Sequence, residues 1–418
     1  VPVADAGGRA GGARFSGRVP LLTLCAASFL TIIVVAVGSS RPLLYDEIDY
    51  VAGTVRQLND LGPGRTFLLE YPHPAGILFG VLHWVLEPIT ALLPPLVRIV
   101  NPLLLVATMA LTAGLCRCAG ARAPWESAAA MVCIPMVWVL TGLALTELSG
   151  MVLAALGLSG FVTAPDRRST AGRLIQTVLS GMAFGAAFYS RPPLAAVAAT
   201  ACVFPLNRSR SWRDVAVFFA GGAALVLPTV LLWGGLVPPT VDFYASSSFS
   251  VEHMLLALGY GGVVMGLLCP AWYDLPPGLT VGLIVGAMLL NVVIPVLEIE
   301  ALMTAARRVL PDALMTVYAR LAGGLCLGAG GMFVVATWRR LREHRQDAIW
   351  LAVTFAMLLL VLSVGKITHQ FSSRYVGVAA PFMAAAAARY RRFDAREIAG
   401  AGVGAALGAI SLLSYHSG

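Results

Sequence analysis

Charge is the scarcest commodity in this 418-residue sequence: 12% of residues are Asp, Glu, Lys or Arg, while 58% are hydrophobic. A soluble domain carries about a quarter charged residues, so a water-facing surface cannot be made from this chain. Lysine is almost missing: of 29 basic residues, Lys366 alone is lysine. The seven cysteines fall in or beside apolar runs, and Cys116-Arg117-Cys118 lacks both the zinc-ligand spacing and a second pair. That excludes a disulfide framework and a cysteine metal cluster. There is no GxGxxG or P-loop context, so a cytosolic nucleotide donor has no support. No low-complexity tract or internal repeat is visible, and strand-like alternation is missing, which sets aside a membrane β-barrel.

What the sequence does have is apolar runs near the ~20 residues that cross a bilayer as a helix. Backbone groups in lipid must be satisfied within their own segment, so these runs are read as helices. The expected class is all-α integral membrane, with about thirteen spans: 20–38, 96–116, 126–144, 147–163, 174–190, 193–206, 215–236, 253–270, 277–297, 314–337, 348–364, 374–388 and 396–414. The first run is kept as an anchor, because no small-residue cleavage site follows it. Residues 1–418 form a single polytopic membrane domain.

The net charge of +8 belongs to short arginine clusters between spans. That is the positive-inside pattern of cytoplasmic loops, not a nucleic-acid surface. The N-terminal tail and the clusters at Arg117/Arg122, Arg167/Arg168/Arg173, Arg208/Arg210/Arg213, Arg339 to Arg345 and Arg389 to Arg396 are separated by even numbers of spans. All can lie on the cytoplasmic side together. This parity requires 74–93, broken up by prolines, to be a helix at the outer face rather than a span. Residues 46–61 read as a second, more polar surface helix. The first outer loop, 39–95, then holds two juxtamembrane helices.

The outer side collects the unusual residues: Asp46, Glu47, Tyr71 and His73 in the first loop, Glu147 and Arg191 at breaks between spans, Asp242, Tyr244 and His253 later, and Lys366, His369, Arg374 and Tyr375 near the end. A carboxylate at an apolar boundary is desolvated and can serve as a general base. Asp46 and Glu47 are adjacent and point different ways, so only one of them is a candidate for that base. The plainer readings are acids matching a helix N-terminus and Lys366 and Arg374 snorkelling to head groups. His253 serves equally as an interfacial anchor. His83, Asn101 and Asn291 read as satisfied polar groups between helices. The small-residue stretches near Gly181, Gly221-Gly222 and Gly323-Gly324 read as close helix packing.

This layout resembles the GT-C polytopic glycosyltransferases that use lipid-linked sugars. The resemblance rests on Tyr45-Asp46-Glu47-Ile48 just after the first span, on Glu70-Tyr71-Pro72-His73-Pro74-Ala75-Gly76 before the second juxtamembrane helix, and on Ser373-Arg374-Tyr375 opening a span that ends at Pro381. With Trp233-Gly234-Gly235, these features are faintly similar to the dolichol-phosphoglucose-dependent α-1,2-glucosyltransferase. A Trp-Trp-Asp signature is missing, which disfavours an oligosaccharyltransferase.

The resemblance implies a polyprenyl-phosphate sugar donor and a hydroxyl acceptor on a glycan, lipid or protein. The acceptor attacks the anomeric carbon with inversion. Asp46 is then the base, with Glu47 in reserve. Arg374 and Lys366, then Arg191 and His369, hold the donor phosphate. Glu147, Tyr71, His73, Tyr375 and His253 contact substrate. No metal ligand set is visible, although a divalent ion is compatible with the chemistry. The expected setting is a bacterial inner (plasma) membrane, N-terminus cytoplasmic and site outside. The competing reading is a flippase or transporter, which predicts paired broken helices and a repeat; a noncatalytic assembly subunit is the third.

Overall fold

The computed structural model describes residues 17–166, 169–241, 248–299, 303, 307, 310–368 and 370–417. Among these, regular structure is helical. The helices are α1 (Arg18–Gly38), α2 (Thr54–Leu61), α3 (Ile77–Thr90), α4 (Leu96–Cys118), α5 (Pro124–Cys133), α6 (Pro135–Gly142), α7 (Glu147–Thr163), α8 (Thr170–Ser190), α9 (Pro192–Leu206), α10 (Trp212–Trp233), α11 (Val251–Leu268), α12 (Pro277–Val293), α13 (Asp312–Glu343), α14 (Ala348–Ser363), α15 (Ala380–Ala387) and α16 (Ala395–Ser417). Among the described residues eight helices are long and apolar enough to cross a membrane, or nine if α5 and α6 form one bent span. The chain is an all-α polytopic membrane protein. The remaining expected spans are helical but short, broken or more polar, so the count of thirteen is not reproduced by length and hydropathy.

The breaks have local causes. Pro135 cannot donate a backbone hydrogen bond and pushes Ile134 into an extended conformation, and the α5–α6 pair bends there by 78°. The expected outer helix at 74–93 appears as α3, 14 residues long. At 1.5 Å per residue it reaches only about 21 Å, too short to cross a ~30 Å hydrocarbon core upright. The expected 46–61 helix appears as a wide turn at Ile48–Gly53 running into α2. Gly80 lets α3 close on α2, since a Cβ there would sit 2.2 Å from the Thr54 methyl.

The core lies around α15, whose residues Ala380 to Ala387 are all fully buried, packed against α4 and α14. Large apolar side chains on the outward faces of α1, α10, α12 and α16 stay exposed, as a lipid-facing surface requires: Leu30, Leu231, Val293 and Ile410 are examples. The glycine stretches serve close approach. A Cβ on Gly181 of α8 would lie 1.9 Å from the Phe218 carbonyl oxygen of α10, and one on Gly323 of α13 would lie 2.0 Å from the Leu297 oxygen. Backbones meet there because no side chain intervenes. Asn291 is satisfied as expected, donating to the Leu297 and Arg320 carbonyls and accepting from the Val296 and Leu297 amides. His83 is not: both ring nitrogens are buried without a hydrogen-bond partner, and the ring lies against Phe79 at 4.5 Å.

Replacing Gly181 by valine is expected to destabilise the chain by about 1–3 kcal/mol through overpacking. Gly286→Ala, at a site with open space around it, should leave the melting temperature in detergent unchanged or raised. Equal melting of the two variants would refute the α8–α10 contact.

Candidate functional site

The site begins with the buried ion pair that fixes the first loop. Glu47 and Arg98 are both fully buried. Arg98 Nε donates to Glu47 Oε1 at 2.9 Å and Nη2 to Oε2 at 2.7 Å, the two-pronged geometry a guanidinium offers a carboxylate. The remaining guanidinium hydrogens go to the carbonyls of Arg41 (3.3 Å) and Pro42 (3.0 Å) and to the Ser39 hydroxyl (3.5 Å). Glu47 also accepts from the Leu44 amide and, across the bundle, from the Ala144 amide, both at 2.8 Å. Its oxygens are therefore consumed by structure. Arg98 was missed in the sequence; an arginine inside an apolar run is the signal that points to it.

One residue earlier, Asp46 faces the other side. Its Oδ2 lies 2.5 Å from Nη2 of Arg374, with both side chains about a quarter exposed. Arg374 opens a helical turn at Arg374–Gly377. That turn is seated on α6 by Gly377, where a Cβ would meet Met136 at 2.8 Å. Arg374 Nε is buried without a hydrogen-bond partner and lies 3.7 Å from Oε1 of Glu147. Glu147, fully buried at the start of α7, holds Arg191 Nη2 at 2.5 Å. Four charges, two of each sign, thus form one chain: Asp46, Arg374, Glu147, Arg191.

The elements that carry these groups are cross-tied. Asn101 on α4 donates to the carbonyls of Leu140, Leu143 and Leu145 at 2.7–3.0 Å, which holds the non-helical stretch ahead of Glu147. Ser149 donates to Ser190 at 3.1 Å, joining the start of α7 to the end of α8 beside Arg191. The Gly76 amide donates to the Ser190 carbonyl at 3.0 Å and brings in the proline-rich turn. Gly76 has φ +90°, and a Cβ there would strike Tyr50 at 2.4 Å, so glycine is required on both counts.

Aromatic rings line the ion-pair chain. Arg191 lies over Tyr50 (5.9 Å) and Tyr375 (5.6 Å), and Arg374 over Tyr375 (5.4 Å). Tyr50, four residues after Asp46 and so on the same helical face, also meets the His73 ring at 4.8 Å. Burial lowers the His73 pKa below its usual value, opposed by Asp49 and then Asp46. At neutral pH the imidazole is therefore uncharged and able to share a hydrogen bond with a hydroxyl. Tyr50 belongs to the site but was missed; its i,i+4 relation to Asp46 was the available signal.

Other expected residues fall elsewhere. Tyr71 is fully buried; its hydroxyl donates to Ala75 O at 2.9 Å, and its carbonyl accepts from Thr240. It anchors the proline-rich turn and offers nothing to a substrate. His253 pairs through Nδ1 with the Ile367 carbonyl and packs on Phe371 at 5.8 Å, tying the start of α11 to the 365–371 segment. Lys366 is exposed on that segment, its ammonium 3.4 Å from the Ser248 carbonyl. His369, Asp242 and Tyr244 lie outside the described residues. Among the described residues no group of three or more His, Cys, Asp or Glu side chains is placed to hold a metal ion.

No family model and no curated protein matches this chain. Among solved structures it is similar to ArnT from Cupriavidus metallidurans bound to undecaprenyl phosphate. The identity is 16% over 89% of this chain and 77% of that one, with a TM-score of 0.43. ArnT from the same organism in the apo state gives 15%, 90%, 78% and 0.42. Likeness at that level transfers neither residues nor chemistry, and the site stands on its own geometry.

Arg98→Ala leaves Glu47 buried without its counter-charge, and a loss of about 3–5 kcal/mol is expected. The double variant with Glu47→Ala should recover part of it. A single variant that melts like the wild type would show that the pair does not hold the loop.

Proposed function

We propose that this chain is a membrane glycosyltransferase of the GT-C type, moving a sugar from a polyprenyl-phosphate donor to a hydroxyl of a glycan, lipid or protein. The observation that carries the reading is the 2.5 Å contact between Asp46, from the first loop, and Arg374, more than three hundred residues later. Such a transfer needs a base for the acceptor and a cation for the leaving phosphate, side by side. This contact joins one of each at an aqueous edge of an apolar bundle.

In this mechanism Asp46 takes the proton of the acceptor hydroxyl. The acceptor oxygen forms a bond to the anomeric carbon from the face opposite the phosphate. The carbon–oxygen bond to phosphate breaks with inversion, and the lipid phosphate leaves with the electron pair. Arg374 is the phosphate's partner, since its side chain reaches the surface beside Asp46 and its Nε has no hydrogen-bond partner among the described residues. Glu147 acts on substrate only through the arginines it holds, so it is a positioning residue. Tyr50, His73 and Tyr375 form the wall on which sugar rings are received. Glu47 is assigned to structure, which leaves Asp46 as the base. We place the site on the outer face of a bacterial inner membrane, with residue 17 and the arginine clusters inside, by the positive-inside rule.

The test is turnover of radiolabelled polyprenyl-phosphate sugars in proteoliposomes. Asp46→Asn is expected to lower the rate about 10²–10⁴-fold, the range for loss of a general base, with melting unchanged. Arg374→Gln should raise the donor KM. EDTA in the same assay tells whether a divalent cation shares the phosphate's charge. Donor that crosses the bilayer uncleaved, at a rate Asp46→Asn does not change, would replace this reading with a flippase.

A further inference from the structure

Far from Asp46, at the opposite end of the same helices, lies a cavity of about 620 Å³. Glu147 starts α7 and Val162, near its other end, lines the cavity. At 1.5 Å per residue the two are separated by about 22 Å along the helix. Volumes of about 300–1,000 Å³ are those of small-molecule sites, so a single water or ion does not fill this one.

The lining is basic in a specific way. Arginines that merely obey the positive-inside rule extend into water, whereas two of these are fixed. Arg210 donates through Nη2 to the Val162 carbonyl at 2.9 Å, and its guanidinium lies 4.2 Å over the Phe161 ring and 5.5 Å over that of Phe204. No ion pair is formed by Arg210 among the described residues. Burial lowers its pKa to about 10, partly opposed by Asp214, so it remains a desolvated cation at neutral pH. Arg389 is anchored by Nε to the Ala119 carbonyl at 2.9 Å and by Nη2 to Asp347 at 2.5 Å. Its Nη1 lies 3.3 Å from His344 Nδ1. A guanidinium can only donate, so Nδ1 accepts, and neutral His344 carries its proton on Nε2 as a further donor.

The acids of the lining are already compensated. Glu343 is paired with Arg339 (3.2 Å) and Arg340 (3.0 Å), which lie outside the lining, and Asp347 with Arg389. Within the lining that leaves Arg210 and the exposed Arg345 in excess, with Asp214 and Asp166 as the acids that act on Arg210 from outside it. The first residues of α14, Ala348 and Ile349, line the same cavity, and the end of that helix is capped by Asp347, whose Oδ1 accepts from the Trp350 amide at 3.0 Å.

We propose that this cavity is a binding site for a phosphate ester, gripped by Arg210 and Arg345 against the start of α14. Planar guanidinium donors match the oxygens of a phosphate two at a time. The site is separate from the Asp46 centre and does not depend on the glycosyltransferase reading. A phosphate ester can come from the bilayer, as a phospholipid head group, or from solution, and both sources present the same oxygens.

The test measures binding to the whole chain, with melting as readout. In detergent micelles the soluble probe is inorganic pyrophosphate, compared with sodium chloride at equal ionic strength. In lipid nanodiscs phosphatidylglycerol is compared with phosphatidylcholine. Stabilisation of the wild type by pyrophosphate supports a soluble ligand, and stabilisation by phosphatidylglycerol supports a lipid head group. In either arm Arg210→Gln should weaken binding about tenfold or more, the scale of a lost charged hydrogen bond. Arg345→Gln, at an exposed position, should weaken it as well and decides the matter if Arg210→Gln does not fold. The proposal is overturned if neither probe exceeds its control, or if the folded variants bind as tightly as the wild type.

Discussion

Everything at the candidate site hangs on a pair of charges buried where water cannot reach. Two ions in a low-dielectric interior are tolerated only when their attraction and hydrogen bonds offset lost hydration. Glu47 and Arg98 meet that condition by using nearly every lone pair and N–H they have. The geometry this imposes is unusually determinate. It fastens the segment just after α1 (Leu44), the start of α4 (Arg98) and the turn before α7 (Ala144) to a single point. The direction of Asp46 and the position of Glu147 both follow, because each lies within a few residues of an atom so fastened.

From there the site is an exercise in charge balance. Asp46, Arg374, Glu147 and Arg191 alternate in sign along one chain of contacts, so no bare charge is left at the membrane edge. The chain is graded in exposure. Glu147 is fully buried, while Asp46 and Arg374 are open to solvent on one side. The buried end is held by ion pairs on both sides, and the other end reaches the surface. That is the arrangement an anionic substrate needs if it is to replace one partner without collapsing the rest. In the proposed mechanism Arg374 trades its carboxylate for the donor phosphate, whereas Arg191 is clasped between Glu147 and two tyrosine rings.

Much of this was legible residue by residue, and some of it was not. The acid after the first span, the Arg-Tyr pair and Glu147 stood out as polar groups at the ends of apolar runs, and the structure brings all of them together. Tyr71 and His253 stood out for the same reason and turned out to be anchors. A polar atom in a loop looks alike whether its partner is a backbone carbonyl or a ligand, and only the fold tells which carbonyl is near. Arg98 was invisible because it was counted as part of a span, and Tyr50 because a tyrosine beside a membrane needs no explanation. His83 was expected to find a partner and has none among the described residues; its ring lies edge-on to Phe79 instead.

Composition and apolar run length by themselves determined that the chain is helical and lives in a bilayer, because in lipid the backbone has no other way to satisfy its hydrogen bonds. Glycine placement determined where helices close on one another, because nothing bulkier fits between two backbones. Which of two neighbouring acids is locked away and which faces solvent was decided only by the tertiary structure. Asp46 and Glu47 are chemically almost identical, and their difference lies in what the fold sets opposite each one: Arg98 in the dry interior for Glu47, and Arg374 at the wet edge for Asp46.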